Sequence, residues 1–258
     1  MSAPEPASAS ALSLRGLSKR FGATIAVAGI DLDIPAQSFY GVVGPNGAGK
    51  TTTLSMATGL LEPDTGVVSV HGVDLWREPE RAKPMLGVLP DGLRTFDKLT
   101  GAELISYAGL LRGMDRDVVR ERRDDLLAAL DLAGAGSTLV TDYSAGMVKK
   151  VGLACALVHA PRVLVLDEPF EAVDPVSAGA IRRILTAFVE SGGTVVLSSH
   201  VMALVERLCD HVAVVGAGRV LAAGTLDEVR AGKDLEDRFV HLVGDVTDSR
   251  DLAWLRQS

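Results

Sequence analysis

Two kinds of apolar pattern alternate along this chain. Phe39-Tyr40-Gly41-Val42-Val43, Val163-Leu164-Val165-Leu166 and Thr194 to Leu197 are short, nearly continuous runs, the signature of strands buried on both faces. Stretches of helical period lie between and beyond them, over Thr51 to Leu60, Met147 to Leu157 and Val176 to Val189. Val67 to Val70 and Leu86 to Leu89 read as further strands, and Val212 to Val215 with Val220 to Ala222 as a hairpin about Gly216-Ala217-Gly218. Leu12 to Asp33 has strand character, with turn signals expected at Gly16, Gly22 and Gly29. Strands joined by helices predict an α/β domain around a mainly parallel sheet.

One stretch breaks the alternation. Between Leu99 and Leu132 a helical period runs over Ala102 to Leu111 and again over Val118 to Leu130, the second with a densely charged solvent face from Arg120 to Asp125. This predicts an all-helical insert in the α/β domain. Residues 226–258 carry only short helical pieces, and no internal repeat is present.

Composition narrows the class. The 258 residues are 47% hydrophobic and carry a formal charge of −7, which argues against a protein that coats nucleic acid. The longest apolar stretch, Val151 to Val158, is far below the roughly 18 residues a membrane-spanning helix needs. Met1 to Ala11 lacks the basic start and apolar core of a signal peptide and is expected to be a disordered tail, giving a cytosolic expectation. Cys155 and Cys209 form no metal-binding pair and read as buried free thiols.

Two motifs carry chemistry. Gly44-Pro45-Asn46-Gly47-Ala48-Gly49-Lys50-Thr51 fits the phosphate-loop pattern, follows a predicted strand and opens a predicted helix. Its glycines let successive backbone N–H groups curl around an anion, and the helix N-terminus adds partial positive charge. Lys50 is placed to reach the β- and γ-phosphates of a nucleotide, and Thr51 to put its hydroxyl on Mg²⁺. The second motif is Asp167-Glu168, two acids ending the buried run Val163–Leu166, where open α/β sheets bind ligands. Asp167 is assigned to the Mg²⁺ shell and Glu168 to polarising the attacking water.

With these residues in order, the chain resembles the ATP-binding subunits of ATP-binding-cassette (ABC) transporters from about Leu12 to Thr225. Within them it is similar to the ABC-2 branch that serves drug and polyketide-antibiotic exporters. The resemblance implies a P-loop NTPase fold with a mainly parallel core sheet, an antiparallel β part and a helical subdomain over about 92–147. The flanks would be an N-terminal tail (1–11) and a C-terminal extension (226–258). Phe21 matches the aromatic residue that stacks on adenine, and Gly44 to Thr52 match the phosphate loop. Asp91 stands at the Q-loop position, a further metal contact, and Tyr143-Ser144-Ala145-Gly146-Met147 at the signature position. Asp167 and Glu168 match the metal-binding aspartate and catalytic glutamate, Asp174 the D-loop aspartate, and His200 the switch histidine. Taken singly, Phe21 reads more readily as core, His200 as a capping or surface residue and Ser144 as a helix cap. Their order along the chain carries the likeness.

The resemblance implies ATP and Mg²⁺ as ligands and catalysis by Lys50, Glu168 and His200. It also implies a head-to-tail homodimer in which Ser144 and Gly146 of one copy close over nucleotide held by Thr51, Thr52 and Lys50 of the other. A separately encoded permease would recruit the subunit to the cytoplasmic membrane face, with Phe96, Leu99 and Leu104 as candidate groove residues, each of which reads equally as core. Asp91, Ala145, Met147 and Glu171 depart from the general pattern. Two alternatives stay open at this stage: a non-transport ABC ATPase acting on nucleic acid or the translation machinery, and a nucleotide-gated subunit without enzymatic activity.

Overall fold

In the computed structural model, which describes residues 10–92, 96 and 98–244, the apolar runs pair into two sheets. The first is antiparallel, in the order β2 (Thr24–Pro35), β1 (Ser10–Phe21), β4 (Thr65–Val70), β5 (Val73–Asp74). The second contains β3 (Phe39–Val43), β6 (Leu86–Leu89), β7 (Val163–Leu166), β8 (Thr194–Ser199), β9 (His211–Gly216) and β10 (Arg219–Thr225). Its order is β10-β9-β3-β8-β7-β6, parallel throughout except at the β9–β10 hairpin. The predicted mainly parallel sheet is therefore present.

The helices are α1 (Lys50–Ala57), the single-turn α2 (Pro79–Ala82), α3 (Gly101–Leu111), α4 (Arg116–Ala129), α5 (Ala145–Leu157), α6 (Pro175–Glu190), α7 (Met202–Leu208), α8 (Leu226–Arg230) and α9 (Leu235–Gly244). Four of the long ones start where a polar side chain accepts from the free N–H groups of the first turn. Those caps are Thr100, Asp115, Ser144 and Asp174. Capping explains why α3 to α6 begin one or two residues ahead of their apolar pattern. No helix among the described residues is long and apolar enough to cross a membrane.

Two apolar clusters hold the layers together. One fills the space between the two sheets, with Leu12, Leu14 and Ile34 against Tyr40, Val42, Val165 and Val196. The other lies on the opposite face of the parallel sheet, where Leu164, Leu166, Val195 and Leu197 meet α5, α6 and the helical insert. Because β7 and β8 are buried from both sides, Val163–Leu166 and Val195 to Leu197 are apolar without alternation, as their sequence suggested.

Several sequence expectations are corrected. Ser10 and Ala11, assigned to the tail, already belong to β1, with Ala11 fully buried; residues 1–9 lie outside the described residues. Only Gly22 is a turn. Gly16 and Gly29 sit at register shifts within the β1–β2 pair, where an extra residue with positive φ bulges the strand. Leu104 is core, and Leu99 packs partly against it, so neither lines an open groove. The boundary expected near 147 falls in the first turn of α5, which continues under β6. Both cysteines are free, and burial pushes the Cys155 thiol up to about 12 and raises that of Cys209.

Candidate functional site

The parallel strand order brings distant residues to one edge. β3, β8 and β7 are neighbours, so the loop after Val43, the segment after Ser199 and the turn after Leu166 all emerge at their C-terminal ends. A cleft of about 430 Å³ opens there. It is lined by Phe21, Asn46 to Thr52, Asp91, Glu168, Glu171 and His200.

The loop conformation has a direct steric reason. Gly49 caps α1 at φ 100°, and a Cβ there would sit 2.5 Å from the Ala26 carbonyl oxygen. Gly49→Ala should therefore lower nucleotide affinity by an order of magnitude or more, by shifting the loop amides; a binding titration with a fluorescent ATP analogue checks it. Lys50 is buried, and its Nζ donates to the Gly44 carbonyl at 2.7 Å and the Pro45 carbonyl at 3.3 Å. The ammonium is thus held on the loop it is expected to serve.

Glu168 faces that ammonium. Its Oε1 lies 3.9 Å from Lys50 Nζ, while Oε2 lies 3.1 Å from His200 Nδ1. The residue adopts φ 45°, a left-handed conformation that costs a non-glycine residue about 1–3 kcal/mol unless its surroundings hold it. They do. Ser198 Oγ accepts from the Glu168 N–H at 2.8 Å, and Lys149 Nζ donates to the Glu168 carbonyl at 2.9 Å. Ser198 also donates to Asp167 Oδ1 at 2.5 Å, fixing the buried carboxylate beside it.

Thr51, Asp91 and Asp167 line a small cavity of about 70 Å³ that shares Thr51 and Asp91 with the cleft. A hydroxyl and two carboxylates are hard oxygen donors, the set that suits Mg²⁺ when substrate phosphates supply further ligands. Among the described residues no cluster of three His, Cys, Asp or Glu side chains forms a metal cage of its own. The residues present therefore fit a metal carried in with a nucleotide.

The remaining predicted residues lie elsewhere. Ser144 is exposed, outside the cleft's lining, and its hydroxyl accepts from the Met147 N–H at 3.3 Å as the α5 cap. Gly146 is buried against α6, where a Cβ would stand 3.1 Å from both Asp174 Oδ2 and Ser177 Oγ. Asp174 caps α6, and hydrogen bonds from Ser177 hold its carboxyl below the usual range. Ala145 is the first residue of α5 and has a negative φ, so its methyl group costs the backbone nothing. Two contributors escaped the sequence reading, Ser198 and Lys149. Ser198 had only a weak signal, one of three hydroxyls on the buried strand β8; Lys149 looked like one of two lysines on a helix.

A phosphate-cradling loop, a carboxylate poised between a lysine and a histidine, and an oxygen-donor cavity on one edge of a parallel sheet define a P-loop ATPase. The family model for the ABC transporter matches residues 27–171. The daunorubicin/doxorubicin resistance ATP-binding protein DrrA of Streptomyces peucetius is 37% identical over 221 residues, covering 86% of this chain and 67% of that protein. The Nod factor export ATP-binding protein I of Burkholderia lata is 35% identical over 213 residues, covering 83% and 70%. A solved structure of the ATP-binding subunit of an ABC transporter superposes with a TM-score of 0.83 at 30% identity, covering 90% of this chain and 98% of that one. The chain belongs to the ABC transporter family, as an ATP-binding cassette.

Proposed function

We propose that this chain hydrolyses ATP to power a separate membrane permease that exports a small, drug-like or lipid molecule. The observation that carries the ATPase step is the Lys50–Glu168–His200 arrangement at the mouth of the phosphate loop. The loop amides and Lys50 bind the phosphates and stabilise charge that develops on the γ-phosphoryl group. Glu168 accepts the proton of the attacking water, and His200 orients that carboxylate. Mg²⁺, held by Thr51 and Asp167 with Asp91 nearby, would neutralise phosphate charge. The same arrangement weighs against a purely binding role. Two of the departures that suggested one, Ala145 and Asp91, are accommodated by a helical φ and by an ion pair.

The exporter reading draws on the relatives, which are named for drug resistance and Nod factor export. Two copies would pair head to tail: Ser144 and the free amides at the start of α5 form a second anion clamp exposed away from the chain's own cleft. Phe21, 51% exposed, offers a face for the adenine ring.

The helical insert supplies the face proposed to meet the permease, on the cytoplasmic side of the membrane. Phe96 stacks edge-on against Tyr107 at 5.4 Å, and Leu110 and Leu111 continue an exposed apolar strip along α3, Leu111 at 68% exposure. Purification from membranes should bring down a multi-span partner with the wild-type chain. Leu111→Asp should lower that recovery at least about tenfold with ATP binding intact. Recovery of a ribosomal or DNA partner in its place would overturn the exporter reading.

A further inference from the structure

The catalytic carboxylate depends on a backbone that few side chains adopt, and the group that holds its carbonyl comes from another part of the chain. Lys149 lies on α5, five residues beyond the signature Ser144. Its side chain is 15% exposed, and its Nζ donates to the Glu168 carbonyl at 2.9 Å while lying 3.5 Å from Asp91 Oδ1. One ammonium therefore ties together the loop after β6, the helix that opens with the signature, and the turn after β7. A charge-assisted bond to a carbonyl is stronger than a neutral one. A largely buried ammonium also needs an anion beside it, and a neutral amide at position 91 would not supply one. Aspartate at position 91 and lysine at position 149 are thus matched to each other.

We propose that Lys149 is a positioning residue for ATP hydrolysis, which fixes Glu168 through its carbonyl and is itself held by Asp91. Any displacement of the loop that carries Asp91 then reaches the catalytic carboxylate through one side chain. The phosphate loop makes no bond to Lys149, so its role is in turnover and not in nucleotide capture. The inference rests on the ATPase reading above.

The test uses the full chain with ATPase assays, titration of a fluorescent ATP analogue and thermal melting. Lys149→Met is expected to lower kcat about tenfold, the scale of a modest misplacement of a reacting group. KM and analogue affinity should stay within about twofold of wild type. Lys149→Arg should keep at least about a third of wild-type kcat, since guanidinium reaches the same acceptors. Asp91→Asn should cost at least about threefold, since Asp91 also faces the oxygen-donor cavity, and the double variant should lose less than the product of the two single losses, because the two side chains share one contact. Three results would overturn the proposal. One is a Lys149→Met kcat within about twofold of wild type, and another is losses at Asp91 and Lys149 that multiply. The third is parallel falls in kcat, affinity and melting temperature that Lys149→Arg does not rescue. Glu168→Gln in the same assay separates the two levels: wild-type turnover no faster than that variant would defeat the ATPase reading itself.

Discussion

Glu168→Gln is expected to reduce ATP turnover by about two to four orders of magnitude while leaving nucleotide binding near wild type. Glutamine has almost the same shape as glutamate. Its amide can still meet His200, its backbone can still bond Ser198 and Lys149, and the left-handed turn at position 168 is unaffected. What disappears is the group that accepts a proton from water. The substitution also removes the anion 3.9 Å from Lys50, leaving the ammonium freer to engage phosphate, so ATP affinity should hold or rise slightly. Phosphate release measured beside nucleotide retained after gel filtration reads both effects. Turnover within about fivefold of wild type would exclude Glu168 as the base, since proton transfer by a placed side chain contributes far more than that.

The chain's legibility follows the range of the interactions. Buried strands announce themselves locally, because both faces must be apolar, and Val163–Leu166 was placed to the residue. The phosphate loop is equally local: strand, glycines, lysine and helix are contiguous. The antiparallel sheet was harder, because Gly16 and Gly29 look like turns in one dimension and prove to be bulges once β1 and β2 are paired. Ser198 and Lys149 are harder again. Each is an ordinary side chain whose importance comes from the register of β7 with β8 or from where α5 passes, respectively 30 and 19 residues away from Glu168 in sequence. Leu104 failed as a groove residue for a related reason. Helical period marks an apolar face without saying which part another helix covers, and the exposed strip lies one turn further along α3, at Tyr107, Leu110 and Leu111.

Lys50→Met and Ser144→Arg should each abolish activity as homodimers, by different routes, and recover it when mixed. Methionine at position 50 keeps the buried stem and removes the charge from the phosphate loop, so nucleotide affinity should fall by at least about a hundredfold; a charged hydrogen bond in a water-excluded site contributes on that scale. Arginine at position 144 removes the cap of α5 and places a long side chain on an exposed helix start, while Lys50, Glu168 and His200 remain intact in the chain's own cleft. That variant should bind ATP normally and fail only to close. In a head-to-tail pair of one copy of each, one composite site combines an unaltered Lys50 with an unaltered Ser144, and the other combines both substitutions. Random pairing should therefore restore about a quarter of wild-type turnover if the two sites act independently. A site complete within one chain gives a different result: Ser144→Arg alone would keep its activity, and mixing would add nothing beyond the average. The exposed, cleft-remote position of Ser144 favours the composite site, and turnover measured across mixing ratios decides it, since complementation peaks at equal amounts whereas averaging is linear.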